Sequence, residues 1–182
     1  MILALDPGLA TCGYAIVTPR TARVVTLGVI EILPRSGADE HTDRVQRASL
    51  QAKQLADLME SHDVTTVAAE GISLGGPPQA RTTMAVCLGL CWGVINGLAE
   101  AFGADVLEVR PKQWQHAIMP GLDKINYDHL FKRIEAFAGK QAFVAFNIIR
   151  KSLRNHALDA VGVGIYAALS PSAAQRVTGA AA

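Results

Sequence analysis

With 182 residues, the chain is long enough to bury the core of one domain and too short for two ordinary ones. Half of its residues are hydrophobic and 18% are charged, which excludes a disordered tail, while a formal net charge of +1 favours no partner class by itself. The three cysteines, Cys12, Cys87 and Cys91, form no CxxC pair and cannot all pair with one another, so a reducing, cytoplasmic setting is expected.

Residues 1–6 are an apolar run ending in Asp-Pro-Gly, a strand that enters a turn, and they reach a charge too early for a signal peptide. Residues 13–17 read as a second strand and 23–33, rich in Val and Ile, as a third; the short connections make the three an antiparallel meander. From 39 to 62 the pattern changes to helical spacing, with Val45, Leu50, Leu55, Leu58 and Met59 as its apolar members. Residues 64–70 form a buried-looking strand ending on an acid, 71–78 are loop by composition, and 79–102 are a long helix.

That helix contains the longest apolar run, Met84 to Ala99. The run is shorter than the roughly 20 residues of a membrane crossing, so it reads as a buried helix and no membrane partner is expected. Gly89, Gly93 and Gly97 share one of its faces. Each glycine costs about 1 kcal/mol in a helix interior, so another backbone is expected to approach there, either the protein's own sheet or a second copy of the chain. Cys87 and Cys91 lie one turn apart without a third ligand, and read as small buried groups and not a zinc site.

Residues 104–109 are a fifth strand, stopped by Arg110-Pro111, and Pro111 opens a short helix over 112–118. Asn126 caps a helix reaching about residue 138, with Tyr127, Leu130, Phe131, Ile134 and Phe137 apolar. Residues 139–154 mix aromatic, apolar and basic groups as helix or structured loop, 155–169 are a final helix, and 171–182 are expected to be a flexible tail beyond a domain spanning 1–170. The order β-β-β-α-β-α-β-α points to one mixed α/β domain.

Charge is unevenly distributed. Between Arg110 and Arg154 the basic residues Arg110, Lys112, Lys124, Lys132, Arg133, Lys140, Arg150, Lys151 and Arg154 face only Asp123, Asp128 and Glu135, the footprint of a phosphate-binding surface. A solvated helical face explains the same charges less specifically.

The chemistry lies in the acids. Asp6 closes the first strand, Glu70 closes another in apolar surroundings, and His156 and Asp159 project from one face near the start of the last helix. Taken singly, each has a structural explanation: an exposed strand end, a surface histidine, an acid stabilising a first helical turn. Together they offer hard oxygen ligands from separate elements, the set that two divalent cations about 4 Å apart need for phosphodiester hydrolysis. Carboxylates suit Mg²⁺ or Mn²⁺, and an imidazole among them moves the preference toward Mn²⁺.

The segment Ile2-Leu-Ala-Leu-Asp-Pro-Gly-Leu-Ala-Thr-Cys-Gly-Tyr-Ala-Ile-Val17 resembles the opening strand-turn-strand of RuvC-type Holliday-junction resolvases. Val67-Ala-Ala-Glu-Gly71 is similar to the family's later acidic strand, and His156-Ala-Leu-Asp-Ala-Val-Gly-Val-Gly-Ile165 to its last helix. The resemblance implies an RNase H-like fold, a five-stranded mixed sheet flanked by helices. It implies Asp6, Glu70, His156 and Asp159 as catalytic metal ligands for two ions of Mg²⁺ or Mn²⁺. It also implies a homodimer that nicks four-way DNA junctions symmetrically, with Gly89, Gly93 and Gly97 on the dimer helix.

Several further residues follow from it. Lys112 and Lys124 match the segment whose lysines help position phosphate, and Arg150, Lys151 and Arg154 are candidate DNA contacts. Where the family carries an aromatic wedge after the glutamate, this chain has Gly71-Ile-Ser-Leu-Gly-Gly-Pro-Pro78, so Ile72 or Leu74 takes that place as an apolar wedge. Three rivals remain open at this point: a nuclease for flaps, other branched DNA or RNA–DNA hybrid; a non-catalytic junction-binding protein; and an actin-like ATPase, which needs far more chain.

Overall fold

A computed structural model describes residues 1–71, 77–121 and 126–170. Its strands are β1 (Ile2–Asp6), β2 (Thr11–Val17), β3 (Val24–Glu31), β4 (Thr66–Glu70) and β5 (Asp105–Val109). Its helices are α1 (Glu40–Ser61), α2 (Pro78–Phe102), α3 (Pro111–Ile118), α4 (Tyr127–Glu135), α5 (Lys140–Ile148) and α6 (Arg154–Leu169), with a 3₁₀ turn (Lys151–Leu153) before the last. The expected order holds, and the stretch 139–154 resolves into α5 and the 3₁₀ turn.

The five strands form one sheet in the order β3-β2-β1-β4-β5. The β1–β2 and β2–β3 pairs are antiparallel; β1–β4 and β4–β5 are parallel. Alternation along the central strands splits the core into two layers. Ile2, Ala4, Ala15, Val17 and Ala68 pack with α3, α4, α5 and α6 on one face. Leu3, Leu5, Ile16, Val67 and Ala69 pack with Leu55 and Met59 of α1 and Ile95 and Ala99 of α2 on the other. By the same alternation Asp6 and Glu70 project toward the α6 layer.

Helix α6 is nearly engulfed, buried at every residue from Ala160 to Ile165, and small side chains let it approach the sheet. A Cβ on Gly164 would fall 2.6 Å from Val17 Cγ2 and 2.9 Å from the Cβ of Ala4. Only a glycine brings the helix axis this near to β1 and β2.

Two expectations need correction. In α1, Val45 and Leu50 are exposed, while Asp43 and Gln51 are buried. These polar residues are paid for by tertiary hydrogen bonds: Gln51 Nε2 donates to the Gly8 carbonyl at 2.8 Å, and Asp43 Oδ1 accepts from the Arg35 amide at 2.8 Å. Gln51 thereby ties α1 to the turn that follows Asp6.

The second correction concerns α2, which is not a buried helix. Among its described side chains it seats only Cys91, Ile95 and Ala99 fully, and Met84 and Val86 are exposed on its outer side. Over Ala80–Phe102 it is long and apolar enough, by length and composition, to cross a membrane, yet only 17% of its most apolar window is buried. Its inner face is nonetheless part of the core beneath the sheet. Gly89, Gly93 and Gly97 point away from that core, and a Cβ on any of them would meet nothing within 4 Å. The protein's own sheet therefore does not account for the glycine stripe. Gly103, in the left-handed conformation at φ 63°, ends the helix and turns the chain into β5.

Candidate active site

The site lies where the two central parallel strands end. The β1–β4 register runs to Leu5 opposite Ala69, so the next residues, Asp6 and Glu70, emerge side by side from the C-terminal edge of the sheet. Immediately after Asp6 the chain reverses at Pro7-Gly8, where a Cβ on Gly8 would lie 2.4 Å from the Thr11 carbonyl oxygen. The first turns of α6 deliver His156 and Asp159 to the same edge.

Each acid has a protein donor. His156 Nδ1 lies 2.6 Å from Asp6 Oδ2. A carboxylate only accepts, so Nδ1 carries the proton and Nε2 is the nitrogen left available. Trp114 Nε1 donates to Glu70 Oε1 at 2.8 Å, and the Tyr127 hydroxyl donates to Asp159 Oδ2 at 3.1 Å. The second oxygen of Asp159, Oδ1, is buried and has no partner.

Electrostatics records the crowding. Burial, then the negative charges of Asp6 and Glu70, push the Asp159 carboxyl up to about 7 against the opposing effects of Tyr127 and His156. Burial likewise raises Glu70, with Asp6 adding to it and the Trp114 hydrogen bond opposing. His156 is raised chiefly by its hydrogen bond to Asp6. Three acids within electrostatic reach of one another, one with a buried and unpartnered oxygen, are costly to ionise unless a cation joins them.

Among the described residues no three acidic, histidine or cysteine side chains stand in a ready-made metal cage. Asp6, Glu70 and Asp159 are paired instead with His156, Trp114 and Tyr127. The orphaned Asp159 oxygen and the hard oxygen donors beside it fit a divalent cation.

The family model described as crossover junction endodeoxyribonuclease RuvC matches residues 2–166, nearly the whole chain. The chain belongs to the RuvC family.

Solved structures agree on the fold. RuvC of Thermus thermophilus in complex with a Holliday junction substrate superposes with a TM-score of 0.71 at 19% identity, covering 92% of each chain. The yeast mitochondrial Holliday junction resolvase gives 0.62 at 14% identity, covering 97% of this chain and 83% of its own. The fowlpox virus resolvase, in complex with substrate Holliday junction DNA, gives 0.56 at 13% identity, covering 92% and 98%. No curated protein sequence matches the chain. The five-stranded mixed sheet flanked by helices is thus the RuvC, RNase H-like architecture, and the actin-like rival falls away.

Around the candidate site the other expected residues are differently placed. Lys112 is exposed at the start of α3, past the end of β5 that pairs with Glu70. Arg150 is paired with Glu31, and Arg154 hands its guanidinium to the carbonyls of Asn147 and Ile149 at 3.1 Å each, above the Phe146 ring. Lys151 is exposed and makes no ion pair among the described residues. Lys124, Ile72 and Leu74 lie outside the described residues.

Sequence reasoning missed Trp114 and Tyr127. Tyr127 read as one more apolar member of α4, and nothing local marks Trp114 as facing an acid 44 residues away. A faint signal existed in α6: a Cβ on Gly162 would fall 2.5 Å from Trp114 Cε3, so the helix keeps a glycine where the indole lies.

Proposed function

We propose that Asp6, Glu70, His156 and Asp159 are the hydrolytic centre with which this chain, as a crossover junction endodeoxyribonuclease, nicks four-way DNA junctions. The observation that carries the reading is the buried, unpartnered Oδ1 of Asp159 beside Asp6 and Glu70. Two divalent cations, Mg²⁺ or Mn²⁺, are the counter-charge the centre takes; when bound they acidify a water and neutralise charge on the scissile phosphate. The protein's part is orientation. Asp6 and Glu70 are fixed by the rigid ends of paired strands, and Asp159 by an engulfed helix. His156 is held by Asp6 with Nε2 available as the nitrogen ligand.

Branched DNA is the substrate class. The support is the family itself, the two relatives solved with Holliday junction DNA, and the basic surplus between Arg110 and Arg154. Phosphates are met through Lys112 and Lys151, which are exposed, while Lys124 and the apolar wedge Ile72 or Leu74 complete the reading from sequence. Symmetric nicks on opposite strands need two centres related by a two-fold axis. The outward stripe Gly89, Gly93 and Gly97, with exposed Met84 and Val86, supports α2 as the face a second copy covers.

The test is a substrate panel of four-way junction, flap, nicked duplex and RNA–DNA hybrid, with Mg²⁺ or Mn²⁺, for wild type and Asp6→Asn. Paired symmetric nicks on the junction, absent from the variant, are expected. Preferential cutting of flap or hybrid would keep the centre and replace the substrate. Junction binding without cleavage by the wild type would leave only a binding protein.

A further inference from the structure

Trp114 has no exposed surface, and its one polar atom donates to Glu70 Oε1 at 2.8 Å. Its position is enforced from two directions. Pro111 begins α3 immediately after β5, whose Val109 is in register with Glu70, so the helix starts beside the glutamate. Gly162 of α6 then gives the ring its seat, since a Cβ there would overlap the indole at 2.5 Å. The same helix carries Asp159, so one packed unit joins Trp114, Glu70 and Asp159.

An indole N–H can only donate, and it has no charge to lose. Held on one oxygen of Glu70, it restricts rotation of the carboxylate and leaves the other oxygen as the better ligand. From this we infer that Trp114 is a positioning residue, which orients Glu70 so that it meets a small divalent cation through a single oxygen. The inference rests on the reading of Glu70 as a metal ligand. Hydrogen-bond partners of ligating groups typically hold about 10–100-fold of metal affinity, which sets the size of the effect.

The experiment uses the full chain and Mn²⁺ alone, titrated by calorimetry into wild type, Glu70→Gln and Trp114→Phe. Phenylalanine keeps an aromatic ring in the seat and removes the donor. The expected result is binding by wild type, strong loss in Glu70→Gln, and about 10–100-fold weaker binding in Trp114→Phe with an intact near-ultraviolet circular dichroism signal. A purely structural tryptophan would lower the melting temperature and leave Mn²⁺ affinity unchanged; that outcome overturns the proposal while leaving the metal site standing. Wild type binding no better than Glu70→Gln would overturn the metal site itself.

Should Trp114→Phe fail to fold, Trp92→Phe leaves Trp114 as the sole indole, because the chain has two tryptophans and Trp92 packs on the opposite face of the sheet. A saturable change in its emission on adding Mg²⁺ is then expected. Constant emission while calorimetry records binding would contradict the inference.

Discussion

Gly13 lies directly beneath His156: a Cβ at position 13 would fall 2.0 Å from the His156 carbonyl oxygen and 3.1 Å from the Ala157 amide nitrogen. The first turn of α6 therefore rests on the backbone of β2, and the absence of one side chain sets the height at which His156 and Asp159 meet Asp6. Gly13→Ala pushes backbone against backbone, which cannot relax as a side chain can. The expected cost is about 3 kcal/mol, the upper end for overpacking, or roughly 6–12 °C in Tm for a domain of this size. Cleavage falls further than stability, because the helix carrying two site residues moves. A thermal melt alongside junction cleavage checks both.

The raised acids give the protein an inverted pH profile. Asp159, ordinarily near 3.8, sits near 7 in the folded chain, so between those values the folded state holds a proton the unfolded state has released. Stability from this group therefore falls as pH rises through that window. Glu70 is raised and acts in the same direction. His156, also raised, adds stability below its ordinary value of 6.5 that is lost as pH climbs through its higher folded value. The metal-free protein is expected to melt at a lower temperature at pH 8 than at pH 5.5. The Tm gained from saturating Mg²⁺ is expected to grow from pH 6 to pH 8, because a cation held by these acids would bind their ionised form. Differential scanning fluorimetry measures both, and an equal gain at the two pH values would exclude these acids as the binding site.

Among the site acids, Tyr127 hydrogen-bonds Asp159. Its hydrogen bond favours the ionised carboxylate, so Tyr127→Phe raises Asp159 further and moves the rising limb of the pH–rate profile toward higher pH. Loss of one hydrogen bond to a charged group, ~1.5 kcal/mol, lowers cleavage about tenfold at neutral pH. The deficit shrinks at pH 8.5, where Asp159 ionises even without the phenol. A pH-independent deficit would point to a direct contact with substrate.

The outward glycines of α2 make a separable prediction. Gly93→Leu enters open space in the single chain and replaces a poor helix former, so the fold of the isolated chain loses no stability. A two-fold interface built on close helix approach would be pushed apart. Sedimentation velocity is expected to show a shift from dimer to monomer, with paired nicking replaced by single nicks.

Legibility in the sequence followed the range of the interactions. Strands β1 and β4 were readable because their apolar runs end on acids, and α6 because its small residues recur beside His156 and Asp159. The surfaces of α1 and α2 were not readable. Gln51 is buried by a hydrogen bond to Gly8 that no local pattern encodes, and the apolar outer face of α2 looks in sequence like the face of a buried helix. Trp114 and Tyr127 escaped notice for the same reason: their polar atoms meet acids on other elements, while their rings fit an ordinary apolar stripe.

Asp159→Asn tests the central claim most directly, with junction cleavage in Mn²⁺ and the metal-free Tm measured on the same preparation. The amide keeps the shape of the side chain and removes the charge that burial makes costly. Cleavage is expected to fall at least about a thousandfold, ~4 kcal/mol of barrier, while the metal-free protein melts at a higher temperature than wild type at pH 8. Cleavage at the wild-type rate would contradict a hydrolytic centre built on Asp6, Glu70, His156 and Asp159.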